Sequence, residues 1–370
     1  MRLTWLSHRD LRHPRAGGAE RTAFEISKRL VSMGDSVELV TCAYPGSPRS
    51  ATLEGVRIRR IGGPIATHLA TLARLTLRHS DIVVDDLAHV LPWTGDFGHS
   101  LPGIAFFHHL HRRTLRGQVS WPISSALIEI ERLYPQIYSH WPFITESRAS
   151  EQDLRDLGIP DSRITRINPG VDLQAFRPLD KFSDPTLVFF SGLRAYKQPE
   201  VALEVFSRLR RDFSGLKIYV VGEFSKRSVS KDSMGFKSIP GVVFPGRLGD
   251  RELATIVGRS WANINCSTAE GWGFSILEAS AAGTPTAAFD VPGVSEAVVN
   301  GVNGLRVAPG DISALVAACR TLLDSTRRFS LTSREYARGF SWDESARLWK
   351  YSLEQLLDSG PRIGASTVSA

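Results

Sequence analysis

Short apolar runs alternate along this chain with longer stretches in which apolar residues return every three or four positions. The first pattern predicts buried strands and the second predicts amphipathic helices. Residues 2–7 form such a run. Residues 20–33 place Ala23, Ile26, Leu30 and Met33 on one side of a helix, which Gly34 and Asp35 end. Strands are predicted at 37–41, 56–61, 81–84, 104–107 and 143–145, and helices at 67–78, 124–138 and 147–157, the last with Ser147 as N-cap. Alternation of this kind predicts a parallel sheet covered by helices on both faces.

Residues 173–185 lose the periodicity and carry two prolines, which predicts a linker. The alternation then restarts. Strands are predicted at 187–190, 217–221, 242–244, 262–265 and 286–289, with helices at 199–212, 250–260 and 273–282 between them. Three helices follow at 311–323, 326–338 and 343–357. The expected organisation is a first α/β domain over 1–172, a linker over 173–185, a second α/β domain over 186–342, a closing helix over 343–358 and a small polar tail over 359–370. Ligands of such sheets bind beyond the carboxyl ends of the strands, so two facing halves predict a site in the cleft between them.

Composition supports this division. At about 150 residues per domain, 370 residues favour two domains. Hydrophobic residues at 42% and charged residues at 22% exclude a collagen, a coiled coil and a disordered chain. Cys42, Cys266 and Cys319 lie far apart without CxxC spacing, so neither a disulfide scaffold nor a cysteine zinc site is expected, and a reducing cytoplasm is. The net charge of +7 is spread evenly, with 22 Lys/Arg against 19 Asp/Glu in residues 1–180 and 23 against 19 in residues 181–370. Charge this diffuse argues against nucleic acid, and leaves phosphorylated substrates or an anionic membrane face as partners. No apolar run approaches the roughly 18 residues of a membrane span. The start turns polar after six residues, unlike a secretory signal.

Three segments carry candidate chemistry. Gly17-Gly18-Ala19-Glu20 follows the first strand and opens a helix, where glycines let the backbone approach a ligand and the helix terminus attracts an anion. A flexible loop with an acidic first turn explains it equally well. Residues 97–128 hold no Asp or Glu but contain His99, His108, His109, His111, Arg112, Arg113 and Arg116. His108 follows the apolar run IAFF, and Asp85-Asp86 follows IVV, so both stand at strand ends. A metal at the histidines is disfavoured, because no carboxylate or cysteine lies nearby in sequence. The third segment, Ala269-Glu270-Gly271-Trp272-Gly273-Phe274-Ser275-Ile276-Leu277-Glu278-Ala279, leads from a strand into a helix. A loop carboxylate and a helix carboxylate there could hold the hydroxyls of a sugar and a ribose, with a phosphate at the helix start.

These segments, with Asn168-Pro169-Gly170-Val171-Asp172, Ala282-Gly283-Thr284-Pro285, Val291-Pro292-Gly293 and Asn303-Gly304-Leu305, resemble the retaining, nucleotide-sugar-dependent glycosyltransferases of family 4, also called group 1. The match runs in order over nearly the whole chain. The resemblance implies a GT-B fold, with two Rossmann-like domains whose parallel sheets face a central cleft and a C-terminal helix that crosses back to the N-terminal domain. It implies a nucleotide-sugar donor as substrate, no cofactor and no metal. The acceptor would be a sugar, a lipid-linked or a small molecule, and the location cytoplasmic, with peripheral contact to the inner membrane face as an option.

The resemblance also assigns roles. Gly17 and Gly18 would approach the donor phosphate and the reacting centre, and His108 the transferred sugar. Lys197 would bind the diphosphate, Glu270 the donor sugar and Glu278 the ribose. Gly273, Phe274 and Ser275 would offer the helix start to donor oxygens. His108, Glu270 and Lys197 form the expected catalytic set, and Arg112, Arg113 and Asp86 the expected acceptor contacts. The family usually carries Gly-Arg-Leu after the first strand of its second domain; with Lys197 in register, the arginine position is Gly192, and Arg194 is the candidate substitute. Charge on the leaving diphosphate would be met by Lys197, Arg194 and the helix start. A nucleotide-sugar epimerase and a non-catalytic nucleotide-sugar-binding protein of the same fold are the alternatives. A nicotinamide-dependent oxidoreductase is disfavoured by the missing GxGxxG.

Overall fold

The computed structural model describes residues 1–73, 75–95, 101–112, 121–223 and 239–358. His99, Arg113, Arg116 and the tail from residue 359 lie outside the described residues. The chain divides into two compact units, Met1–Pro169 together with the chain from Trp342, and Gly170–Ser341.

The first unit contains β1 (Arg2–Leu6), α1 (Gly18–Ser32), β2 (Ser36–Cys42), β3 (Ser50–Leu53), β4 (Val56–Ile61), α2 (Pro64–Leu72), β5 (Ile82–Asp86) and β6 (Gly103–Phe107), then α3 (Trp121–Arg132), α4 (Tyr134–Ile137), β7 (Phe143–Thr145), α5 (Arg148–Asp156) and β8 (Ile164–Arg166). The sheet order is β3-β4-β2-β1-β5-β6-β7-β8. All neighbours are parallel except β3, which pairs antiparallel with β4 at the edge. Strands β5 and β6 are buried throughout, and apolar up to the Asp85-Asp86 that ends β5, because both faces of a parallel sheet are covered. The helix expected at 124–138 is two helices: Pro135, in the first turn of α4, lacks an N–H and cannot continue α3. The helix expected at 67–78 starts earlier, at Pro64, a residue suited to a first turn, and ends at Leu72. Ser147 caps α5 as expected, its side chain accepting from the Ser150 amide.

The second unit contains β9 (Thr186–Phe190), α6 (Pro199–Leu209), β10 (Lys217–Val221), β11 (Val242–Gly246), α7 (Asp250–Arg259), β12 (Ala262–Asn265), α8 (Phe274–Ala281), β13 (Thr286–Phe289), α9 (Val294–Ala297), β14 (Gly304–Val307), α10 (Ile312–Asp324) and α11 (Thr326–Arg338). Its sheet is wholly parallel, in the order β11-β10-β9-β12-β13-β14. Residues 173–185, expected as a linker, are packed into this unit. Phe176 is buried in the cluster that includes Val188, Val257 and Leu277. Lys181 Nζ donates to the carbonyls of Gly258 (3.1 Å), Ser260 (2.7 Å) and Gly283 (3.1 Å) and to Thr284 Oγ1 (2.9 Å). Those acceptors lie where α7 and α8 end, and helix C-termini carry partial negative charge.

The chain then returns to the first unit as α12 (Trp342–Asp358). Trp349 on its buried face packs 4.9 Å from Trp5 and edge-on to Phe106 at 5.0 Å, so the helix is keyed into the centre of the first sheet. Arg29 to Asp343 and Lys350 to Asp35 tie it to α1 and the turn that follows. No helix among the described residues is long and apolar enough to cross a membrane.

Candidate functional site

The strand order of the second sheet reverses between β9 and β12. β9 is the first strand of its unit, β10 lies on one side of it and β12 on the other. At such a switch point the connections leave in opposite directions and open a crevice at the carboxyl edge. Lys197 leaves β9 on a single helical turn, Ala195–Lys197, and Glu270 leaves β12 in the loop before α8. The two loops are joined by the Thr268 amide, which donates to the Tyr196 carbonyl at 2.9 Å. Lys197 Nζ donates to Glu270 Oε1, and the same oxygen accepts from Ser267 Oγ at 2.6 Å and Asn265 Nδ2 at 3.3 Å. Burial opposes the charge of Lys197, but Glu270 outweighs it and raises the pKa of the ammonium.

A third loop, after β13, supports Glu270 from beneath. The Glu270 amide donates to the Pro292 carbonyl at 3.0 Å. Gly293 has φ +81°, and a Cβ there would stand 2.2 Å from the Glu270 carbonyl oxygen, so this close approach requires glycine. Trp272 is buried and lies 5.4 Å from Phe340, anchoring the loop. Gly273, at φ +91°, turns the chain into α8. Phe274 and Ser275 form its first turn, ahead of the bonds from the Ile276 and Leu277 amides to Gly273 O. Glu278 is buried one turn further on. Arg194 is exposed, and its Nε lies 3.9 Å from where a Cβ at Gly192 would stand. The guanidinium therefore reaches back over the position where the family pattern has its arginine.

In the first unit the expected residues divide. Gly17 caps α1, and its amide donates to Glu20 Oε2 at 2.7 Å; Arg9 lies 3.5 Å from the other carboxylate oxygen. Asp86 ends β5, His108 follows β6 and Glu146 follows β7, so three neighbouring parallel strands each deliver one side chain to one place. His108 Nε2 lies 2.8 Å from Asp86 Oδ1, and Nδ1 lies 2.9 Å from Glu146 Oε2. Trp5 Nε1 donates to Asp86 Oδ2 (3.2 Å), and Thr22 Oγ1 on α1 donates to Glu146 Oε1 (2.7 Å). All three members are buried. Asp86 was expected to contact an acceptor, but its carboxylate is enclosed and engaged by Trp5 and His108. His108 was expected beside the transferred sugar, but both ring nitrogens are taken by carboxylates. Among the described residues no group of three or more His, Cys, Asp or Glu is placed to hold a metal ion.

Asp85 is also internal. It accepts from the Thr94 and Gly95 amides at 2.9 and 3.0 Å and from Tyr138, and shapes the loop after β5. Burial raises it to about 6 despite these donors. Glu131 on α3 accepts from the His111 amide at 2.6 Å and the Arg112 amide at 3.1 Å, fixing the turn after His108. Sequence reasoning missed Glu131, Glu146, Asn265 and Ser267. Glu146 and Asn265 carry the strand-end signal that picked out His108 and Asp86.

A model of the glycosyl transferases group 1 matches residues 173–339, and one of glycosyltransferase family 4 matches residues 16–175. D-inositol 3-phosphate glycosyltransferase 2 of Catenulispora acidiphila is 27% identical, over 92% of this chain and 91% of its own length. Glycogen synthase of Mycobacterium tuberculosis is 27% identical over 67% of this chain, and the match spans 62% of that relative. Among solved structures, sucrose-phosphate synthase from Thermosynechococcus elongatus superposes with a TM-score of 0.82 at 19% identity, covering 97% of this chain and all of that one. Anabaena HepE in complex with UDP-glucose gives 0.71 at 15% identity, covering 96% of this chain and 100% of its own. These are GT-B proteins, and the two family models meet between 173 and 175, close to where the first compact unit gives way to the second. With two doubly wound parallel sheets, a lysine–glutamate pair at the switch point of the second, and family models that together run from residue 16 to residue 339, the chain belongs to the group 1 glycosyltransferases.

Proposed function

We propose that this protein moves a sugar from a nucleotide-diphosphate sugar to an acceptor hydroxyl, with retention at the anomeric carbon and without a metal ion. The observation that carries the reading is the Lys197–Glu270 pair at the switch point, beside the start of α8. Without donor, Glu270 neutralises Lys197. A diphosphate competes for the ammonium and releases the Glu270 carboxylate to accept from sugar hydroxyls. Arg194 and the first-turn amides Phe274 and Ser275 meet the charge that grows on the leaving group. Glu278 holds the ribose. The departing phosphate oxygen takes the acceptor proton as the new bond forms on the same face. His108 is a positioning residue: pinned between Asp86 and Glu146, it fixes the ends of β5, β6 and β7.

Arg112, on the turn held by Glu131, is the acceptor contact this reading retains; paired with a phosphate oxygen it would favour an anionic acceptor. The relatives named for D-inositol 3-phosphate make a phosphorylated polyol the first class to test, and HepE makes UDP-glucose the first donor. The test is a thermal-shift screen of UDP-, GDP- and ADP-sugars, followed by acceptor trials on the hit. A cognate donor raises the melting temperature with its saturation. Turnover persists in EDTA, and NMR of the product shows the donor's anomeric configuration. No shift with any nucleotide sugar sinks the reading.

A further inference from the structure

Helix α2 is packed inside out. It buries Thr67 and Thr71 and exposes Ile65 at 79%, Leu69 at 61% and Leu72 at 56%. Spacings of four and three residues line these up on one stripe, and Leu75, half exposed, continues it beyond the helix. A helix on a soluble unit ordinarily shows the reverse, with apolar residues inward. The inward face is settled by polar contacts rather than left over. Thr67 Oγ1 donates to the Ile61 carbonyl, Thr71 Oγ1 donates to the Thr67 carbonyl at 2.8 Å, and the His68 ring stacks 4.1 Å from Trp93. Rolling the helix to bury its leucines would forfeit the Thr67 bond to Ile61 and the His68–Trp93 stack, while the Thr71 bond, internal to the helix, would remain.

The surroundings of the stripe are cationic. Residues 55–80 contain no Asp or Glu and five arginines, of which Arg60 is buried against Asp10 and Arg59 is paired with Glu38. Arg57, Arg78 and His79 are exposed. The acids that bound the segment are already engaged, Glu54 with Lys28 at 3.5 Å and Asp81 with Arg2 at 2.6 Å. A second copy seated on the same stripe would set like charge against like charge. A bilayer with anionic headgroups satisfies both features, aliphatic side chains entering the acyl boundary while arginines meet phosphates. We propose that the outer face of α2, through Ile65, Leu69 and Leu72, docks this protein on an anionic membrane surface.

The test needs no donor or acceptor, so its failure is separate from failure of the transferase reading. The full chain is sedimented with phosphatidylcholine vesicles and with vesicles containing about one-third phosphatidylglycerol. The protein is expected to pellet with the anionic vesicles only, and less so as salt rises. An Ile65→Gln, Leu69→Gln, Leu72→Gln variant is expected to keep its melting temperature and lose binding at least about tenfold. A fluorophore on Leu69→Cys is expected to shift to the blue with anionic vesicles alone. Wild-type protein that stays in the supernatant overturns the proposal, and so does a triple variant that binds as well as wild type. Sedimentation velocity showing a wild-type dimer that the triple variant loses also overturns it, by making α2 a face between copies.

Discussion

His108 Nε2 stands 2.8 Å from Asp86 Oδ1 within the buried interior of the first unit, and Glu146 holds the opposite ring nitrogen at 2.9 Å. Two carboxylates need two donors, so the ring carries both protons. Burial alone would lower its pKa; Asp86 and Glu146 outweigh burial and raise it to about 10 from 6.5. Between those values the folded chain binds a proton that the unfolded chain does not. The contribution of His108 to stability is therefore complete below about pH 6.5 and is lost as pH rises through about 10. An NMR titration of the ring is expected to show no transition near pH 6.5. His108→Ala leaves two carboxylates buried without their cation and is expected to cost about 3–5 kcal/mol in urea unfolding. A ring that titrates near its ordinary value would show that His108 is not held as a cation between the two carboxylates.

The pairing of Lys197 with Glu270 predicts that removing either partner lowers turnover while the two removals shift nucleotide affinity in opposite directions. Glu270→Ala and Lys197→Ala are each expected to reduce turnover at least tenfold, about 1.4 kcal/mol in barrier. They differ in affinity for the nucleoside diphosphate alone. Removing Lys197 deletes its cation and weakens binding. Removing Glu270 deletes the competitor for that cation and tightens binding. Calorimetric titration of both variants with UDP, or with the nucleotide the donor screen identifies, reads the difference. Weaker binding in Glu270→Ala would show that the carboxylate does not compete with phosphate for Lys197.

Gly293 tests whether the backbone beneath Glu270 matters as much as its side chain. Gly293→Ala combines a left-handed φ of +81° with a Cβ 2.2 Å from the Glu270 carbonyl oxygen. Gly301 has a nearly equal φ of +78° but open space around it. Alanine at Gly301 is expected to cost about 1 kcal/mol from backbone strain alone. Alanine at Gly293 adds the clash, is expected to cost at least about 2 kcal/mol, and weakens donor binding by displacing Glu270. Equal stability and equal donor affinity in the two variants would show that the loop after β13 yields freely.

Much of this site was legible because strand ends are legible. The apolar runs IAFF and IVV and the strand ANIN are followed at once by His108, Asp85-Asp86 and the Glu270 loop, and a parallel sheet sends such positions to one edge. What the sequence hid is partnership. Asp86 and Glu146 lie 22 and 38 residues from His108, and only the order β5-β6-β7 makes them neighbours. The role of Asp86 was misjudged for the same reason, since a strand-end carboxylate points outward until a cation closes over it. Short or polar elements were also hidden. β3, β8 and α9 have three or four residues each, too few to show a period. Residues 173–185 failed differently: their irregular pattern is real, but Phe176 and Lys181 are held by tertiary contacts that local periodicity does not report.

Lys181 turns that last observation into a measurement. Its ammonium bridges the ends of α7 and α8 through four oxygen acceptors. Lys181→Met keeps the length of the side chain but donates to none of them, and is expected to destabilise the second unit by at least about 2 kcal/mol. The loss depends on pH, with a sign opposite to that of His108. Burial lowers the pKa of Lys181 from 10.5 to about 7. Between those values the unfolded chain binds the extra proton, so stability from this group rises with pH across the window. The gap between wild type and Lys181→Met should therefore widen from pH 7 to about pH 10. The His108 effect is common to both proteins and cancels in the difference. Paired urea unfolding at the two pH values, followed by probes in each unit because the two need not unfold together, gives that gap. A gap that stays constant would mean the acceptors hold Lys181 charged throughout, and a gap near zero would return residues 173–185 to the status of a linker.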